Sequence, residues 1–592
     1  MKYKLIVALC VLLTGSPALA SSDSTDIVDT IIVTATRSEI PLSDAIVPVT
    51  VISRQQIEQS MAADLADLLR FYAGLDLGRN GGPGQSASIF LRGAESNHTL
   101  VMIDGVRINP GTIGGAAIQN IPPELIERIE IVKGPRSALF GSDAIGGVIN
   151  ILTRRSAETP TEMRVGAGSF NTRSALLSTG TTLADTELGA SINWQQTDGF
   201  SPLAASELER GYRNLSANLY ANKQFGNGTV GFRHWQASGN TEYLDFFLAP
   251  VDQDFRNEST AIEWLAPVGE RVQSKTTLSY MVDDIRQQQS EDFVESSRLA
   301  LDWQVNADVG AHALVGGLYL MRENADVLSW GSGFNEDTTV RAVFIEDHWR
   351  EGDNAVLAAV RLTDHQAFGN KTTWNVEYSR IISDTLRLTT GVGHAFRAPD
   401  ATDRYGFGGS PLLRPEVADE AQLGFSYQPG ARQTIVLDFY QKKIDDLIEF
   451  DWATYELRNL EAARIRGMQL GYTYTGDTYT FNAEAVRQQA RSSNNDARLL
   501  RRAEKSLSLS LLRNIGEHSL GVNVLASGDR EDFGGYRLAG YVLTNLTAKF
   551  RLGNHWIAST RLQNLFDVEY ETAAGFNAEE QSFYVDLSYR WN

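Results

Sequence analysis

The chain has 592 residues, with 53 lysines and arginines against 73 aspartates and glutamates, and a formal net charge of −20. A hydrophobic fraction of 42% is too high for a disordered chain, and 51 glycines beside only 16 prolines exclude a collagen-like composition. Nonspecific nucleic-acid binding is also disfavoured, because it depends on many phosphate-neutralising basic side chains. The composition predicts a folded protein and identifies no ligand.

The first twenty residues have the organisation of a secretory signal peptide. Two early lysines precede the apolar run 5–13, which is followed by the small residues of 16–20. A membrane anchor would need about 20 apolar residues, which is roughly twice that run. We therefore expect export and cleavage after Ala20. The only cysteine, Cys10, lies inside the run, so the mature chain is expected to contain no disulfide.

Residues 41–155 mix helical and strand patterns and contain many glycines. The pattern predicts a helix over 62–69 and strands over 87–91, 99–103 and 126–132. This segment is predicted to form a small α+β domain, which residues 21–40 join to the signal peptide.

Residues 156–592 contain short stretches that alternate polar and apolar residues, the period of a strand with one buried face. The stretch 541–550 has an apolar and a polar face, interrupted by Leu543: Val542, Leu546 and Phe550 against Asn545, Thr547 and Lys549. The same alternation marks 434–440, 506–511 and 583–591. A run of soluble β-sandwiches would bury the apolar face, whereas a membrane barrel turns that face to lipid.

The export signal and the number of strands favour the barrel. Strands of roughly 10 residues with their connections predict about 22 strands, and a lumen of that width requires a plug. The predicted fold is therefore an all-β membrane protein, an antiparallel transmembrane barrel over 156–592 with the α+β domain 41–155 in its lumen.

Several stretches resemble the TonB-dependent outer-membrane receptors. The most specific is 126–151, which reads IERIEIVKGPRSALFGSDAIGGVINI and is similar to the plug core of that family. The others are 89–93 (IFLRG), 100–109 (LVMIDGVRIN), 396–399 with 411–416, and 562–567 with Tyr570. The resemblance covers nearly the whole mature chain and implies a location in the bacterial outer membrane.

A segment near the start of the mature chain resembles the energy-coupling segment of the family, the TonB box: Asp29, Thr30, Ile31, Ile32, Val33, Thr34, Ala35 and Thr36. An extended β-branched segment with no partner in its own sheet can add to the edge of another protein's sheet through backbone hydrogen bonds. The resemblance therefore implies a TonB-type periplasmic energy-coupling protein as partner. The alternative is an ordinary edge strand of the plug.

Within the family, the closest resemblance is to the receptors for cobalamin (vitamin B12). It is carried by 80–85 (NGGPGQ), 86–93, His98, 109–117, 134–147 and 499–503. This resemblance implies ligand-facing residues on loops of both domains: Ser86, Ser88, Glu95, Ile113 and Gly114 on the plug, and Asp245, Arg501 and Phe533 on the barrel. The alternative for each is a solvated loop residue.

The calcium sites of those receptors do not carry over. In place of their aspartate cluster the chain has Ser201, Leu208, Arg210 and Leu244, which leaves only Tyr243 and Asp254. Because Ca²⁺ takes about six to eight oxygen ligands, a calcium site is doubtful and no cofactor is expected.

The predicted function is active import of cobalamin, in which ligand binds the outer plug face and force from the periplasmic partner rearranges the plug. A passive porin would leave the plug and the TonB box unexplained. An enzyme has no support, because the eight histidines include no HExxH motif and the chain has no GxSxG motif. A ferric siderophore or haem receptor remains the alternative, since the plug and barrel motifs are shared across the family.

Overall fold

The computed structural model describes residues 31–32, 36–72, 74–155, 159–245, 247–451, 454–459 and 462–591. The predicted signal peptide lies outside the described residues, as do Asp29, Thr30, Val33, Thr34 and Ala35 of the predicted TonB box. Within the described residues, no helix combines the length and the apolar character needed to cross a membrane.

The described residues of the N-terminal part form nine strands and three α-helices. The strands are β1 (Ile31–Ile32), β2 (Ile40–Pro41), β3 (Val49–Ile52), β4 (Leu75–Arg79), β5 (Ala87–Leu91), β6 (Thr99–Ile103), β7 (Val106–Arg107), β8 (Ile126–Lys133) and β9 (Gly147–Thr153). The helices are α1 (Arg54–Ser60), α2 (Leu65–Leu69) and α3 (Ser137–Phe140). Short 3-10 turns occupy Leu42–Asp44, Ser96–His98, Ile118–Asn120 and Pro123–Leu125.

A five-stranded sheet in the order β3-β8-β9-β6-β7 organises this domain, and only the β6–β9 pair is parallel. The strands expected over 87–91, 99–103 and 126–132 are confirmed as β5, β6 and β8. The helix expected over 62–69 is shorter, because Asp64 caps its N-terminus by accepting a hydrogen bond from the Asp67 amide. Helix α1 was not predicted, although Ser53 and Gln56 form a capping box at its start.

Twenty-two antiparallel strands close into one barrel around this domain. They begin with β10 (Glu162–Gly168), β11 (Thr172–Leu183), β12 (Thr186–Phe200), β13 (Arg210–Phe225), β14 (Gly228–Leu244), β15 (Pro250–Pro267), β16 (Val272–Gln287) and β17 (Phe293–Val309). They continue with β18 (His312–Ser329), β19 (Ser332–Glu351), β20 (Asn354–His365), β21 (Gly369–Ser383), β22 (Leu386–Arg397), β23 (Glu416–Gly430) and β24 (Gln433–Asp445). The last are β27 (Ala462–Thr475), β28 (Tyr479–Ser492), β29 (Lys505–Ile515), β30 (His518–Ser527), β33 (Tyr541–Leu552), β34 (Trp556–Gln563) and β35 (Ser582–Arg590).

Among the described residues, two hairpins, one short helix and one 3-10 turn lie in the loops between barrel strands. The hairpin β25 (Ile448–Asp451) and β26 (Glu456–Asn459) follows β24, and the hairpin β31 (Arg530–Asp532) and β32 (Tyr536–Leu538) follows β30. Helix α4 (Ala401–Tyr405) lies between β22 and β23, and Phe533–Gly535 is a 3-10 turn.

The two ends of the barrel differ in the length of their connections. At one end the strands are joined by tight turns such as 184–185 and 226–227, and at the other by long loops such as 398–415 and 564–581. In outer-membrane barrels the short turns face the periplasm and the long loops face the outside. The outer mouth of this barrel is therefore the end that carries α4 and the loop hairpins.

The alternation predicted for 541–550 is confirmed in β33. Val542 and Phe550 face outward, exposed by 50% and 40%, whereas Asn545 and Thr547 face the lumen and are buried. Leu543, which breaks the alternation, also faces the lumen and belongs to an apolar cluster that includes Phe71 of the plug. An apolar residue is stable on this otherwise polar face because the plug covers it.

The plug is held in the lumen by a shared core and by buried ion pairs. Its main apolar cluster extends into wall residues of the barrel, including Tyr212, Trp235 and Phe255. Arg136 of the plug pairs with Glu377, and Arg92 lies 3.5 Å from Asp438 and 3.8 Å from Glu420. Removing one partner of such a buried pair costs about 3–5 kcal/mol, so these contacts fix the orientation of the plug.

Candidate functional site

Three plug loops reach the outer mouth of the barrel: 80–86 after β4, 92–98 after β5, and 108–117 after β7. The first is rich in glycine because the barrel wall approaches its backbone closely. A Cβ atom at Gly81 would lie 2.6 Å from Cβ of Pro202, and one at Gly84 would overlap the Tyr212 ring. Both glycines also have positive φ, so their small size and their backbone freedom are both needed here.

Barrel residues also hold this first loop by hydrogen bonds. The Gln85 side chain donates to the Glu242 carbonyl at 2.6 Å. The same loop carries Ser86, which is exposed, and the following strand carries Ser88, which is half-buried and pairs with Gly78. The predicted serines thus lie at the outer plug face.

Arg501 and Phe533 form one contact surface beside these serines. The Arg501 guanidinium carbon lies 5.2 Å from the Phe533 ring centroid, and its Nε donates to Asp532 Oδ1 at 2.8 Å. A Cβ atom at Gly78 would lie 3.5 Å from Cδ of Arg501, so this arginine covers the strand that pairs with Ser88. Phe533 remains 47% exposed at the outer mouth.

Glu95 is joined to the wall through Arg502. The two side chains form an ion pair, Arg502 Nε donates to the Gly93 carbonyl at 3.2 Å, and its guanidinium carbon lies 4.6 Å from the Phe90 ring centroid. Glu95 remains half-buried, so part of its carboxylate faces the mouth.

Ile113 and Gly114 lie on the third plug loop, against the barrel loop 398–415. The Ala401 amide donates to the Gly111 carbonyl at 2.9 Å, and the Thr402 amide donates to the Thr112 carbonyl at 3.0 Å. Ile113 is 49% exposed, whereas Gly114 is buried. This backbone pairing ties the plug loop directly to a loop of the outer mouth.

A buried polar network centred on Glu416 connects these loops. Its Oε2 accepts from His98 Nε2 at 3.0 Å and from Arg397 Nη1 at 2.9 Å, and its Oε1 accepts from the Ile448 amide at 2.9 Å. His98 Nδ1 accepts from the Glu95 amide, so Nε2 is the nitrogen that donates to Glu416. One carboxylate thereby joins the plug, the wall and the hairpin β25–β26.

The network extends to α4 through Arg397. Its Nη2 donates to Asp400 at 2.7 Å and to Asp403 at 2.6 Å. Burial and the neighbouring Asp403 carboxylate raise the pKa of Asp400 well above its usual range. A Cβ atom at Gly114 would lie 3.0 Å from Asp400 Oδ2, so this carboxyl lies against the third plug loop.

Asp245 is not brought to this group by any described contact. Its Oδ1 accepts from the amides of Phe247 and Ala249, both at 2.8 Å, which closes the turn between β14 and β15. The structure therefore gives Asp245 a role in its own loop.

The two residues considered for calcium are also separate. Tyr243 accepts from Gln287, while Asp254 accepts from Asn240 and Gln288, both at 3.0 Å. Asp254 faces Asn240 in the strand register, three positions from Tyr243. Among the described residues, no group of three or more histidine, cysteine, aspartate or glutamate side chains is arranged to hold a metal ion.

The described residues of the predicted TonB box, Ile31, Ile32 and Thr36, lie at the opposite, periplasmic end. Ile31 and Ile32 pair antiparallel with Ile40–Pro41, so the expectation of a segment without a partner is wrong for these two residues. Ile32 is fully buried in an apolar cluster with Val47 and Val132. The alternative of an edge strand of the plug describes these two residues better. Burial of the branched apolar side chain of Ile32 stabilises the paired strand relative to an unpaired, solvent-exposed one.

The residue after the described box, Arg37, anchors it to the wall. Arg37 pairs with Asp302, its Nη1 donates to the Leu139 carbonyl at 2.8 Å, and its guanidinium carbon lies 4.4 Å from the Phe344 ring centroid. The Gln304 side chain donates to the Arg37 carbonyl at 3.0 Å.

Sequence reasoning thus identified the plug loops and missed the residues that hold them. Arg501 contacts Phe533 and lies against the strand that pairs with Ser88. Glu95 and Gly114 lie on neighbouring plug loops, and Asp245 stands apart. The missed residues all belong to the barrel and hold the plug loops or the residues next to them: Tyr212, Asp532, Arg502, Arg397 and Glu416. Arg397, Glu416 and Arg502 lie in the resemblance segments 396–399, 411–416 and 499–503, which gave them no role, and Asp532 is adjacent to Phe533.

The chain matches two sequence families along most of its length. Residues 41–148 match the TonB-dependent Receptor Plug Domain, and residues 159–565 match the TonB dependent receptor-like, beta-barrel family. The chain is 29% identical to the vitamin B12 transporter BtuB of Vibrio vulnificus over 95% of both chains. It is also 29% identical to the vitamin B12 transporter BtuB of Photobacterium profundum over 100% of both chains.

A search of solved structures supports the same fold. A mutant of the ferric enterobactin receptor PfeA from Pseudomonas aeruginosa superimposes with a TM-score of 0.81, covering 95% of this chain and 100% of that chain at 16% identity. At that identity the likeness shows the fold alone. Together with the two family matches, the closed barrel and its lumenal plug show that the chain belongs to the TonB-dependent receptors of the bacterial outer membrane.

Proposed function

We propose that this receptor actively imports cobalamin across the outer membrane. The observation that carries the proposal is the full-length similarity to vitamin B12 transporters, which spans the plug and the barrel together. The likeness to siderophore receptors at 16% identity extends to the fold and gives no comparable support for a siderophore.

The electrostatics of the outer plug face support an uncharged cargo. Arg501, Arg502 and Arg397 contact the plug loops or strands that carry predicted ligand residues, and each is already paired with a carboxylate. An anionic ferric catecholate would have to compete with those carboxylates, whereas the neutral amide groups around a corrin ring would not. Phe533 offers an apolar surface to the ring itself.

The proposed ligand site comprises Ser86, Ser88, Glu95, Ile113, Gly114, Arg501 and Phe533, whereas Asp245 is engaged within its own loop. Binding there would meet three plug loops and the barrel loops that hold them. A periplasmic TonB-type protein would then pair with residues 29–36, and the force would be transmitted to the plug through the strand pair Ile31–Ile32 and Ile40–Pro41.

The substrate is tested with purified receptor and three ligands: cyanocobalamin, a ferric catecholate siderophore and haem. We expect saturable cyanocobalamin binding that persists in the presence of a calcium chelator, because Tyr243 and Asp254 are already engaged by separate partners. Tight siderophore or haem binding without cobalamin binding would replace the proposed substrate. Strict calcium dependence would refute the proposed calcium independence.

The ligand site is tested by Phe533→Ala. We expect weaker cyanocobalamin binding by about tenfold, because truncating an aromatic contact residue at a binding hot spot costs more than 1 kcal/mol. Trp330→Ala is the matched control, since Trp330 is an exposed aromatic residue (72%) in the turn between β18 and β19 at the same end of the barrel. Equal effects of the two substitutions would remove Phe533 from the site.

Coupling is tested at Val33, because Ile32 is packed into the plug and its replacement would also disturb folding. Val33→Pro removes a backbone donor and fixes φ, whereas the control Val33→Ala keeps the donor. We expect Val33→Pro to abolish uptake while surface binding persists, and Val33→Ala to retain uptake. Normal uptake by Val33→Pro would argue against strand pairing with the partner.

A further inference from the structure

A groove of about 670 Å³ lies on the outer surface of the barrel wall and crosses strands β23, β24, β27 and β28. Its floor is apolar and includes Ala421, Leu423, Phe439 and Met468. In the strand register Leu423 lies opposite Phe439, and Phe439 lies opposite Met468, so these side chains share one face of the sheet. That face is the exposed one, because residues of the other face, such as Tyr440, are buried toward the plug. This wall groove therefore faces the membrane rather than the lumen.

Basic side chains border the wall groove at its outer end and along one side. They are Arg464 and Arg466 on β27, Arg487 on β28 and Lys505 on β29, and all four are exposed. Arg466 and Arg487 also line the groove itself. Within the part of the chain that the structure describes, none of the four belongs to an ion pair. We call these four residues the basic cluster.

Strand pairing places the basic cluster in a row of like charges. Arg487 lies directly opposite Lys505. Arg464 lies between Lys443 and Arg491 of the two neighbouring strands, and only these two neighbours have carboxylate partners of their own. Like charges directly opposite one another in a sheet are destabilising. An anion bound from outside the chain would offset this repulsion.

Two outward arginines in another sector of the wall are neutralised within the chain. Arg286 Nη2 lies 2.8 Å from Glu295, and Arg322 Nη2 lies 2.9 Å from Asp337. Both arginine side chains are more than half exposed, so exposure does not prevent such pairing. The basic cluster therefore lacks a counter-charge that the chain supplies at comparable outward positions.

The height of the basic cluster matches the outer boundary of the membrane. Below Arg466, strand β27 turns Met468, Leu470, Tyr472 and Tyr474 outward. The strand from Tyr474 to Arg466 rises by roughly 21 Å along the membrane normal, at about 3.4 Å per residue and a tilt of about 40°. The apolar band of such barrels is about 25 Å tall and is flanked by aromatic residues. With Tyr474 at its periplasmic edge, the arginines reach the headgroups of the outer leaflet.

We propose that the wall groove and the basic cluster bind one phosphorylated lipid of the outer leaflet. A guanidinium group can hold a phosphate through two parallel hydrogen bonds, so Arg466 and Arg487 bind the headgroup. An acyl chain of the same lipid packs on the apolar floor at Phe439 and Met468. The site is separate from the outer mouth and does not depend on which cargo is imported.

The combination of charge and depth favours a lipid over other anions. A free phosphate would meet the arginines and leave the apolar floor unused. An acidic protein outside the cell would likewise meet the charges only, because the floor lies at the level of the apolar band. A lipid anchored in the outer leaflet reaches both parts of the site.

Headgroup recognition is tested on the purified receptor by native mass spectrometry in detergent. The probes are bisphosphoryl lipid A, the same lipid without its phosphates, and phosphatidylethanolamine. We expect one bisphosphoryl lipid A to be retained in preference to the other two lipids. The double variant Arg466→Gln/Arg487→Gln should bind it about 30-fold more weakly, since two basic contacts with an anionic headgroup are lost. The matched control Arg286→Gln/Arg322→Gln should bind it normally, because those arginines are already paired.

The apolar floor is tested by Ala421→Trp, which fills the wall groove without changing its charge. Ala485→Trp is the control, because Ala485 faces outward opposite Leu470, below the groove. We expect about tenfold weaker lipid A binding in Ala421→Trp alone, since the bulky ring displaces the acyl chain from the floor. Millimolar inorganic phosphate should not displace the lipid, because it makes no contact with the floor. Circular dichroism of each variant checks that the barrel is folded.

Equal retention of the lipid without phosphates, or an equal loss in the two double variants, would overturn the lipid site. Unchanged binding by folded Ala421→Trp, or displacement of the lipid by inorganic phosphate, would also overturn it, because the cluster would then recognise an anion without the lipid. If lipid A shows no preference and an acidic surface protein binds the receptor but not Arg466→Gln/Arg487→Gln, a protein replaces the lipid as the partner.

Discussion

Replacing Glu416 by glutamine should loosen the outer plug loops without unfolding the barrel. Glu416 is 1% exposed and accepts hydrogen bonds from His98, Arg397 and the Ile448 amide. Glutamine has the same shape but only one acceptor oxygen and an added NH₂ donor. Whichever way the amide is oriented, its NH₂ group meets a donor that the carboxylate had satisfied.

The size of the effect follows from the partners that remain. A hydrogen bond to a charged group contributes about 1.5–3 kcal/mol, and removing one member of a buried ion pair costs about 3–5 kcal/mol. Arg397 keeps Asp400 and Asp403 as partners, so the lower part of these ranges applies. We expect local opening to become easier by about 2–3 kcal/mol, which corresponds to about 30- to 150-fold faster exchange of the affected amides.

Hydrogen exchange followed by mass spectrometry measures this directly on peptides that cover 93–98 and 446–451. Glu456→Gln is the matched control, because Glu456 lies in the same loop region, is exposed, and pairs with Arg458 only at the surface. Unchanged protection in Glu416→Gln would refute the central role of this carboxylate. Equal acceleration in β8, far from the network, would instead indicate general loosening of the plug.

Three further predictions concern other parts of the plug. Arg37→Ala should accelerate hydrogen exchange in 31–41, because it removes the ion pair with Asp302 that anchors this segment. The control is Arg322→Ala, at an exposed ion pair. Unchanged exchange in Arg37→Ala would mean that the packing of Ile32 alone holds the segment. Burial raises the pKa of Asp76 to about 6, above the unfolded value of about 3.9. The stabilising contribution of protonated Asp76 is therefore complete below about pH 4 and is lost as pH rises through 6. Plug protection should fall over that window by an amount on the order of 3 kcal/mol, and Asp76→Asn should remove this pH dependence; an identical profile in the variant would assign it to another group. Gly84→Ala should displace the first outer plug loop from Tyr212 and weaken cyanocobalamin binding. The control Gly105→Ala should leave binding unchanged, because Gly105 has a similar positive φ but no atom within 4 Å of the added Cβ. Equal effects of the two substitutions would contradict the steric argument.

The barrel could be predicted from the sequence because its signal is local. Each strand must present one face to lipid and one to the lumen, so Val542 and Phe550 alternate with Asn545 and Thr547 whatever the neighbouring strands are. Three of the plug strands were also predictable, since runs such as 100–103 are apolar and buried on both faces. The glycines and serines of the outer plug loops could be identified only through the resemblance.

The features that only the tertiary structure decided depend on contacts between residues distant in sequence. Leu543 contradicts its own strand pattern and is explained only by Phe71 of the plug. The Glu416 network joins residues that lie on three different parts of the fold, and Ile32 is paired and buried although its segment resembles a free coupling strand. The sequence determines which face of a strand is apolar, because side chains alternate between the two faces with the period of the backbone. The closure of the barrel around the plug decides which polar groups meet, because a buried carboxylate is stable only where donors from separate segments converge.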